Sequence, residues 1–222
     1  MQPKGLHQVD LLRALPKTKR NISARESAKN AEVIRIAREY GEAYFDGDRA
    51  YGYGGYRYDG RWVPVAKDMV AYFNLKPGDR FLDIGCAKGF LLQDLQTVCP
   101  GLEVFGLDIS AYALSRIDKS IKGRVVQGNA YRLPFETGAF SAAVSINTLH
   151  NLPKAALIEG LQEIQRICGG RAFIQVDSYF TPEEKAIFES WVLTAEFHDY
   201  PEKWIEVFQS AGYTGGYNWT IA

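Results

Sequence analysis

The ten residues from Phe81 to Phe90 constrain the fold of this chain more than any other segment. They read Phe-Leu-Asp-Ile-Gly-Cys-Ala-Lys-Gly-Phe, an apolar strand that runs into a turn of small residues and then into a helix. Glycine lets a ligand approach the backbone closely, and the free N–H groups at the start of a helix favour an anionic or polar group. The segment therefore predicts an α/β fold with a ligand site at the end of this strand.

Strands and helices alternate from Arg61 onward, which is typical of a parallel α/β sheet. The predicted strands are Arg80–Ile84, Glu103–Leu107, Arg124–Gln127, Ser141–Ile146, Ala172–Asp177 and Tyr217–Ile221. The predicted helices are Trp62–Phe73, Gly89–Val98, Ala111–Lys119, Pro153–Ile167, Pro201–Ala211 and one that Thr181 opens as an N-cap. This pattern predicts a single sheet domain over residues 61–222.

Composition excludes several classes of function. The 222 residues include 26 basic and 26 acidic side chains, so no overall field attracts nucleic acid or an acidic membrane. Cys86, Cys99 and Cys168 are far apart and form no CxxC pair, which favours a reducing cytoplasm. With three scattered histidines we expect no metal site, and with no signal-peptide or membrane-spanning pattern we expect a cytoplasmic protein without a membrane partner.

The N-terminal region differs from the rest of the chain. Residues 1–38 carry nine basic and three acidic side chains, a net charge of +6. We interpret them as a solvated arm and helix face, because aromatic residues do not interleave with the basic ones as in nucleic-acid-binding segments. A capping box at Ser23-Ala-Arg-Glu26 predicts a helix of about four turns that ends at Gly41.

The segment Tyr51–Gly60 is rich in tyrosine and glycine and predicts an irregular loop. Long aromatic loops are often lids or binding loops, but the tyrosines could equally fold the segment back onto the domain. We therefore expect residues 1–60 to form a helical arm with a Tyr/Gly-rich lid, beside the sheet domain of residues 61–222.

Four motifs in order resemble the class I S-adenosylmethionine-dependent methyltransferases. The family's first motif is an acid-x-Gly-x-Gly-x-Gly turn, and here Asp83 and a Gly85-x-x-x-Gly89 turn match it with Ala87 at the middle glycine. Asp108 ends the second sheet strand, and Asn129 follows the third, where the family commonly has Asp. The fourth strand ends at Asn147. The glycine spacing differs from the G-x-G-x-x-G of dehydrogenases.

This resemblance implies a Rossmann-like sheet, mostly parallel with an antiparallel C-terminal strand, and helices on both faces. It implies S-adenosyl-L-methionine as the cofactor, S-adenosyl-L-homocysteine as the product, and no metal. Asp108 is implied to accept the ribose hydroxyls and Asn129 to contact the adenine. The implied cofactor-binding residues are Asp83, Gly85, Cys86, Ala87, Gly89, Asp108, Ile109, Asn129, Ala130 and Asn147.

Methyl transfer to a hydroxyl or an ammonium needs a base for its proton. His150 is our first candidate because it lies just past the fourth sheet strand, although it could instead bond the turn at residues 151–153. Asp177 at the end of the fifth strand and His198 between two late helices are further candidates, and Asp177 could instead cap a helix. Candidate substrate-binding residues are Tyr53, Tyr56, Arg57, Arg61 and Tyr179.

The sequence thus predicts methyl transfer from S-adenosylmethionine to a small polar metabolite, such as a sugar, a sugar nucleotide, an amine or a phenol. Two alternatives stay open. One is an RNA or protein methyltransferase that uses the basic arm to hold a large acidic partner. The other is a non-catalytic protein that binds S-adenosylmethionine.

Overall fold

The computed structural model describes residues 5–16 and 22–221. Within them, seven parallel strands form one sheet in the order β1-β7-β6-β5-β2-β3-β4. The strands are β1 (His7–Gln8), β2 (Arg80–Ile84), β3 (Glu103–Asp108), β4 (Val125–Gln127), β5 (Ala142–Ile146), β6 (Ala172–Ser178) and β7 (Gly216–Ile221). The predicted parallel α/β sheet is confirmed.

Helices connect these strands. They are α1 (Ile22–Ala28), α2 (Ala31–Arg38), α3 (Glu42–Phe45), α4 (Val63–Phe73), α5 (Phe90–Val98), α6 (Ala111–Ser115), α7 (Lys154–Cys168), α8 (Pro182–Trp191) and α9 (Pro201–Ser210), with short 3-10 helices at Lys122–Arg124 and Leu149–Asn151. Thr181 and Glu184 form the capping box that opens α8, as its sequence predicts. In the described part of the chain, no helix is long and apolar enough to cross a membrane.

Each face of the sheet packs against its own set of helices, because side chains alternate along a strand. Leu82 and Ile84 of β2 belong to one core with α7 and α9. Phe81 belongs to the opposite core with α4 and α5. Every residue of β6 is buried, as expected for a strand covered on both faces.

The C-terminal strand is parallel, so the antiparallel orientation implied by the family resemblance is wrong. Phe173 of β6 pairs with Gly216 of β7, and Ser178 pairs with Ile221, in the same direction. The reason lies in the connection: α8 and α9 intervene between the two strands and return the chain to the start of the sheet, as crossover helices do.

The predicted N-terminal helix is also wrong in its start and its continuity. The structure has α1 and α2 instead, and Ser23 lies inside α1 rather than at its cap. The break has a local cause, because the Asn30 side chain accepts a hydrogen bond from the Val33 N–H at 2.9 Å and opens a new helix. N-terminal to these helices, β1 adds a parallel strand beside β7. No strand is predicted there from the sequence.

The order of the strands determines where a ligand can bind. From β2 the chain moves outward to β3 and β4, and it then returns to the other side of β2 with β5. In open α/β sheets, a crevice forms at the carboxyl ends of the strands where the direction of progression reverses. The turn after β2 and the ends of β3 and β5 meet at this point.

Candidate functional site

The turn after β2 has the backbone of a ligand cradle. Gly85 has φ +85°, and a Cβ there would lie 1.9 Å from the Thr148 Oγ1. Gly89 has φ +72°, and Ala87 has φ +49°. Ala87 therefore adopts the left-handed conformation that glycine favours, at a cost of about 1–2 kcal/mol for an L-residue.

Asp108 at the end of β3 stabilises this turn. Its Oδ2 accepts a hydrogen bond from the Ala87 N–H at 2.7 Å, and its Oδ1 accepts one from the Ser110 N–H at 2.8 Å. Burial raises the pKa of Asp108 in spite of these hydrogen bonds. The carboxylate therefore fixes the turn and presents its remaining lone pairs at the ligand crevice.

Asp83 is a second buried acid beside this turn. Burial, and then the nearby Asp108, raise the pKa of Asp83 to about 8. Asp83 is therefore mostly protonated at neutral pH, and its carboxyl group is a hydrogen-bond donor there rather than an anion.

A small cavity of about 180 Å³ opens at this crevice. Seven of the predicted cofactor residues line it: Gly85, Ala87, Asp108, Ile109, Asn129, Ala130 and Asn147. Asp83 in β2, and Cys86 and Gly89 in the turn, are outside the lining in the described structure. Ile109 is half exposed, although it is apolar, and offers a flat contact surface in the cavity.

A larger cavity of about 580 Å³ adjoins the small one. Tyr44, Tyr53, Asn147 and Asn151 line both cavities and so form their junction. The larger cavity is further lined by α1, by the last residue of α8 and residues 192–194 after it, by residues 48–50 and 52, and by His150 and Asp177. The two cavities together form one bipartite crevice over the sheet.

His150 and Asp177 lie side by side in the larger cavity. The His150 Nδ1 accepts a hydrogen bond from the Asp177 backbone N–H at 3.0 Å, so the ring proton of a neutral imidazole is on Nε2. That Nε2 lies 3.5 Å from the Asp177 Oδ2. Both side chains are buried, and the indole of Trp204 donates to the Asp177 backbone oxygen at 3.1 Å. The ring of His150 is thereby oriented toward the carboxylate.

His198 and Tyr179 lie elsewhere. They form an aromatic cluster with Phe188, in which the Tyr179 Oη and the His198 Nδ1 are 3.2 Å apart. Burial lowers the pKa of His198. Among the described residues, neither side chain lines either cavity. The structure therefore does not bring these two candidates together with His150 and Asp177.

The segment Glu42–Tyr58, which we call the cover, comprises α3 and most of the Tyr/Gly-rich loop. Its loop folds back onto α3, since the Tyr53 N–H donates to the Tyr44 oxygen at 2.8 Å and the Tyr56 N–H to the Phe45 oxygen at 2.9 Å. Tyr53 lines both cavities, whereas Tyr56 packs against Phe90 with ring centroids 4.9 Å apart.

Two predicted substrate residues, one within the cover and one after it, face solvent instead. Arg57 is exposed, and Arg61 forms an exposed ion pair with Asp59. In the described chain, neither arginine lines the cavities.

Sequence reasoning missed several residues of the site. Tyr40, Tyr44 and Phe45 line the small cavity, and Asn151 lies at the junction. The Asn151 Oδ1 is buried and accepts no hydrogen bond from the residues that the structure describes. An aromatic pair in a short helix after Gly41 was the available signal for Tyr44 and Phe45; no local signal distinguishes Asn151.

Basic side chains of the N-terminal region contact the protein itself. Lys4, Lys17, Lys19 and Arg20 lie outside the described residues. Of the others, Arg13 pairs with Asp68, Lys29 donates to the Glu189 oxygen, Arg35 pairs with Glu32 and Glu39, Arg38 pairs with Glu196, and Arg25 donates to the oxygens of Arg49 and Gly52. Arg25 thereby attaches α1 to the cover, and Arg38 attaches α2 to the segment after α8.

Comparisons with known proteins agree with this arrangement. Residues 81–169 match the family described as "Methyltransferase domain". Demethylmenaquinone methyltransferase of Symbiobacterium thermophilum is 33% identical over 122 residues, which cover 50% of this chain and 48% of that protein. Botryococcene C-methyltransferase of Botryococcus braunii is 29% identical over 136 residues, which cover 58% and 32% respectively. The chain thus spans less than half the length of these curated relatives.

The fold is shared with solved structures. A candidate methyltransferase from Bacillus halodurans superposes with a TM-score of 0.53 and 18% identity, over 66% of this chain and 68% of that one. At this identity the likeness establishes the fold alone. Within residues 5–16 and 22–221, no group of three or more His, Cys, Asp or Glu side chains is placed to hold a metal ion.

Proposed function

We propose that this chain is a class I, Rossmann-like, S-adenosylmethionine-dependent methyltransferase that transfers a methyl group to a small molecule, since its residues 81–169 match the family described as "Methyltransferase domain". One observation carries the proposal: the small cavity at the glycine turn shares four lining residues with a larger cavity that contains a buried His–Asp pair. Donor and acceptor would then lie on either side of one junction.

The residues around the small cavity fit S-adenosylmethionine. The cradle at Gly85 has no room for a side chain, Asp108 offers carboxylate lone pairs to the ribose hydroxyls, and Asn129 offers both an amide oxygen and N–H groups to the adenine. Ile109 gives the adenine an apolar contact. Bound there, the cofactor supplies an electrophilic methyl group on its sulfonium.

The larger cavity favours one part of the predicted substrate range. Its lining includes the buried acceptor atoms of Asp177 and of Asn151 at the junction, and acceptors recognise a hydroxyl or an amine. The lining also includes the apolar side chains of Ile22 in α1 and of Val192 and Leu193 after α8. We infer a substrate with a hydroxyl or amino group at one end and an apolar body, and among the predicted classes we favour a phenol over a sugar or a sugar nucleotide.

The names of the relatives agree with an apolar body. One relative is named for demethylmenaquinone and the other for botryococcene, a quinone and a terpenoid. In this proposal, residues 22–60 act as an arm and a lid that enclose the substrate above the sheet, to which residues 7–8 contribute the edge strand β1. Enclosure excludes water from the reacting groups.

Within the His150–Asp177 pair, we assign the role of proton acceptor to Asp177, and we assign to His150 the role of orienting the Asp177 carboxylate. The His150 Nδ1 already accepts the Asp177 N–H, so the imidazole has no second lone pair for a substrate proton. The Asp177 carboxylate lies 3.5 Å from Nε2, and Asp177 lines the larger cavity, so its carboxylate is the acceptor that a substrate there can reach. A proton from the substrate then goes to the Asp177 carboxylate, with the imidazole N–H stabilising its charge before transfer.

The test is calorimetric titration of the purified protein with S-adenosylmethionine and S-adenosylhomocysteine, with NAD as a competing candidate. Asp108→Ala should lose binding of both sulfur nucleosides. The matched control, Asp68→Ala, removes a surface carboxylate that pairs with Arg13 and should bind as the parent protein does. Transfer of a labelled methyl group to a panel of phenols, amines and sugars then tests the substrate.

Preference for NAD, or equal binding by Asp108→Ala and the parent protein, would overturn the cofactor assignment. Methylation of sugars with no turnover of apolar phenols or amines would overturn the substrate class while leaving the reaction type in place.

A further inference from the structure

Lys88 lies in the glycine turn after β2, yet its side chain reaches into the cover. Its Nζ lies 2.6 Å from both carboxylate oxygens of Asp46 and donates to the Tyr56 backbone oxygen at 2.8 Å. The Lys88 side chain is only 8% exposed. An ammonium so deeply buried is stable only where it is paired, which Asp46 and the carbonyl achieve together.

Asp46 is the centre of this network. Besides Lys88, it accepts a hydrogen bond from the Tyr112 hydroxyl at 2.7 Å and one from the Tyr56 N–H at 3.2 Å. Burial raises the pKa of Asp46, but the hydrogen bonds from Lys88 and Tyr112 outweigh burial, so the net pKa is lowered. Asp46 is thus an anion at neutral pH that joins the turn, α6 and the cover.

Both ends of the Lys88 contact adjoin residues that line the cavities. At one end, the neighbouring Ala87 N–H is bonded to Asp108, and Ala87 and Asp108 line the small cavity. At the other end, the Tyr56 ring lies 4.6 Å from the ring of Tyr53, which lines both cavities. Lys88 is the described side chain that runs directly from the turn to the carboxylate of the cover.

We propose that Lys88 is a positioning residue that couples occupancy of the small cavity to ordering of the cover over the larger one. The inference rests on the proposed function, since it takes the occupant of the small cavity to be the cofactor. A ligand that fixes the turn fixes the Lys88 backbone, and the Lys88–Asp46 contact then orders the cover. Ordering of the cover in turn strengthens retention of the ligand, because such coupling is reciprocal.

Other contacts of the cover do not begin at the turn. Arg25 of α1 donates to the oxygens of Arg49 and Gly52, and the Tyr58 hydroxyl donates to Asp94 of α5 at 2.7 Å. These contacts attach the cover to α1 and α5 whether or not a ligand is bound. Removing the Lys88 contact should therefore leave the cover attached but insensitive to the cofactor.

Hydrogen exchange of the backbone, measured by mass spectrometry with and without S-adenosylhomocysteine, tests the coupling. The amides of Tyr53, Gly55 and Tyr56 report on the cover, because all three donate to backbone oxygens of α3. In the parent protein, we expect S-adenosylhomocysteine to slow their exchange. In Lys88→Met and in Asp46→Asn, we expect this slowing to be lost and the dissociation constant to rise about tenfold, within the usual range of coupling between sites.

Two further variants separate coupling from general stability. Lys203→Met removes a lysine that pairs with Glu206 on the exposed face of α9, and it should keep the slowing and the affinity of the parent protein. Lys88→Arg retains the charge and should restore part of both. Asp46→Asn changes one atom and keeps the side-chain volume, so it tests the contact even if Lys88→Met fails to fold.

The outcomes are distinct. Retention of cofactor-dependent slowing in folded Lys88→Met or in Asp46→Asn overturns the coupling, even when exchange is faster throughout the cover. Failure of the parent protein to bind S-adenosylhomocysteine overturns the proposed function itself, and the coupling with it. Loss of slowing in both variants, with partial recovery in Lys88→Arg, supports the coupling.

Discussion

Replacing Asp83 by Asn should change how the stability of this protein depends on pH. In the folded state, burial and the proximity of Asp108 raise the pKa of Asp83 to about 8. In the unfolded chain, its pKa is close to the ordinary value of about 4. The folded protein therefore holds a proton that the unfolded chain has released between about pH 4 and pH 8, and the stability contributed by this group falls as the pH rises through that window.

The magnitude follows from this difference in pKa. Each pH unit within the window changes the free energy of unfolding by about 1.4 kcal/mol. From pH 6 to pH 8, the parent protein should lose about 2 kcal/mol relative to Asp83→Asn, since titration near pH 8 is only half complete. Asn resembles the protonated acid in shape and cannot ionise, so the variant lacks this dependence.

Urea denaturation of both proteins at pH 6, 7 and 8 measures the difference, and the effects of titrating groups that do not interact with Asp83 cancel in the comparison. Asp68→Asn, at a partly exposed site, should follow the parent protein at each pH. A constant difference between the parent protein and Asp83→Asn across this range would refute the reasoning, because it would mean that Asp83 is already ionised in the folded state.

Two further predictions concern the cavities. Gly85→Ala should abolish measurable binding of S-adenosylhomocysteine by calorimetry, because the added Cβ would meet the Thr148 Oγ1 at 1.9 Å in a backbone with φ +85°. The control is Gly138→Ala, which is also at positive φ but has nothing within 4 Å of the added Cβ. Binding by both variants would contradict the role of the Gly85 turn in holding the ligand. Asp177→Asn should lower kcat by roughly 10²–10⁴-fold for a substrate that must lose a proton, with a smaller effect on KM, in a methyl-transfer assay; an unchanged kcat would remove Asp177 from proton transfer.

Much of the sheet and the small cavity could be predicted from the sequence, because both depend on local patterns. The segment Phe81–Phe90 specifies its strand, turn and helix from neighbouring residues alone. Asp108 ends β3 and Asn129 follows β4, and parallel strands bring their carboxyl ends to one edge. Sequence-local signals thus suffice where the topology itself assembles the site.

The direction of β7 and the position of β1 could not be predicted in the same way. β7 is parallel because two helices precede it, whereas the expectation of an antiparallel strand came from the family resemblance. β1 is only two residues long, His7–Gln8, and pairs with residues more than 200 positions away. No periodicity can be recognised in two residues, and pairing at that distance depends on the finished fold.

The larger cavity was harder to predict because it is assembled across the chain. Arg25 comes from α1, Tyr53 from the cover, Asn151 from a 3-10 helix and Trp191 from the end of α8. Each occurs in a sequence context that is equally typical of a surface or a core residue. Only their meeting at one cavity distinguishes them, so residue type alone could suggest Tyr53 but not the other three.

The small cavity is assembled by the topology of the sheet, and the larger cavity is assembled from distant parts of the chain. The two parts of the site therefore differ in how freely their residues can be substituted. Substitutions in the turn after β2 act on backbone that is already strained at Ala87 and closely packed at Gly85, so few residues are compatible there. The walls of the larger cavity are side chains on α1, on the cover and on the segment after α8, where a change of residue alters the shape of the cavity without altering the sheet. The Lys88–Asp46 contact connects the two parts across about 2.6 Å. If substrate preference differs between relatives of this chain, we therefore expect the differing residues to lie in the walls of the larger cavity. We expect the turn after β2 and its Lys88–Asp46 contact to be compatible with each substrate that those walls accept.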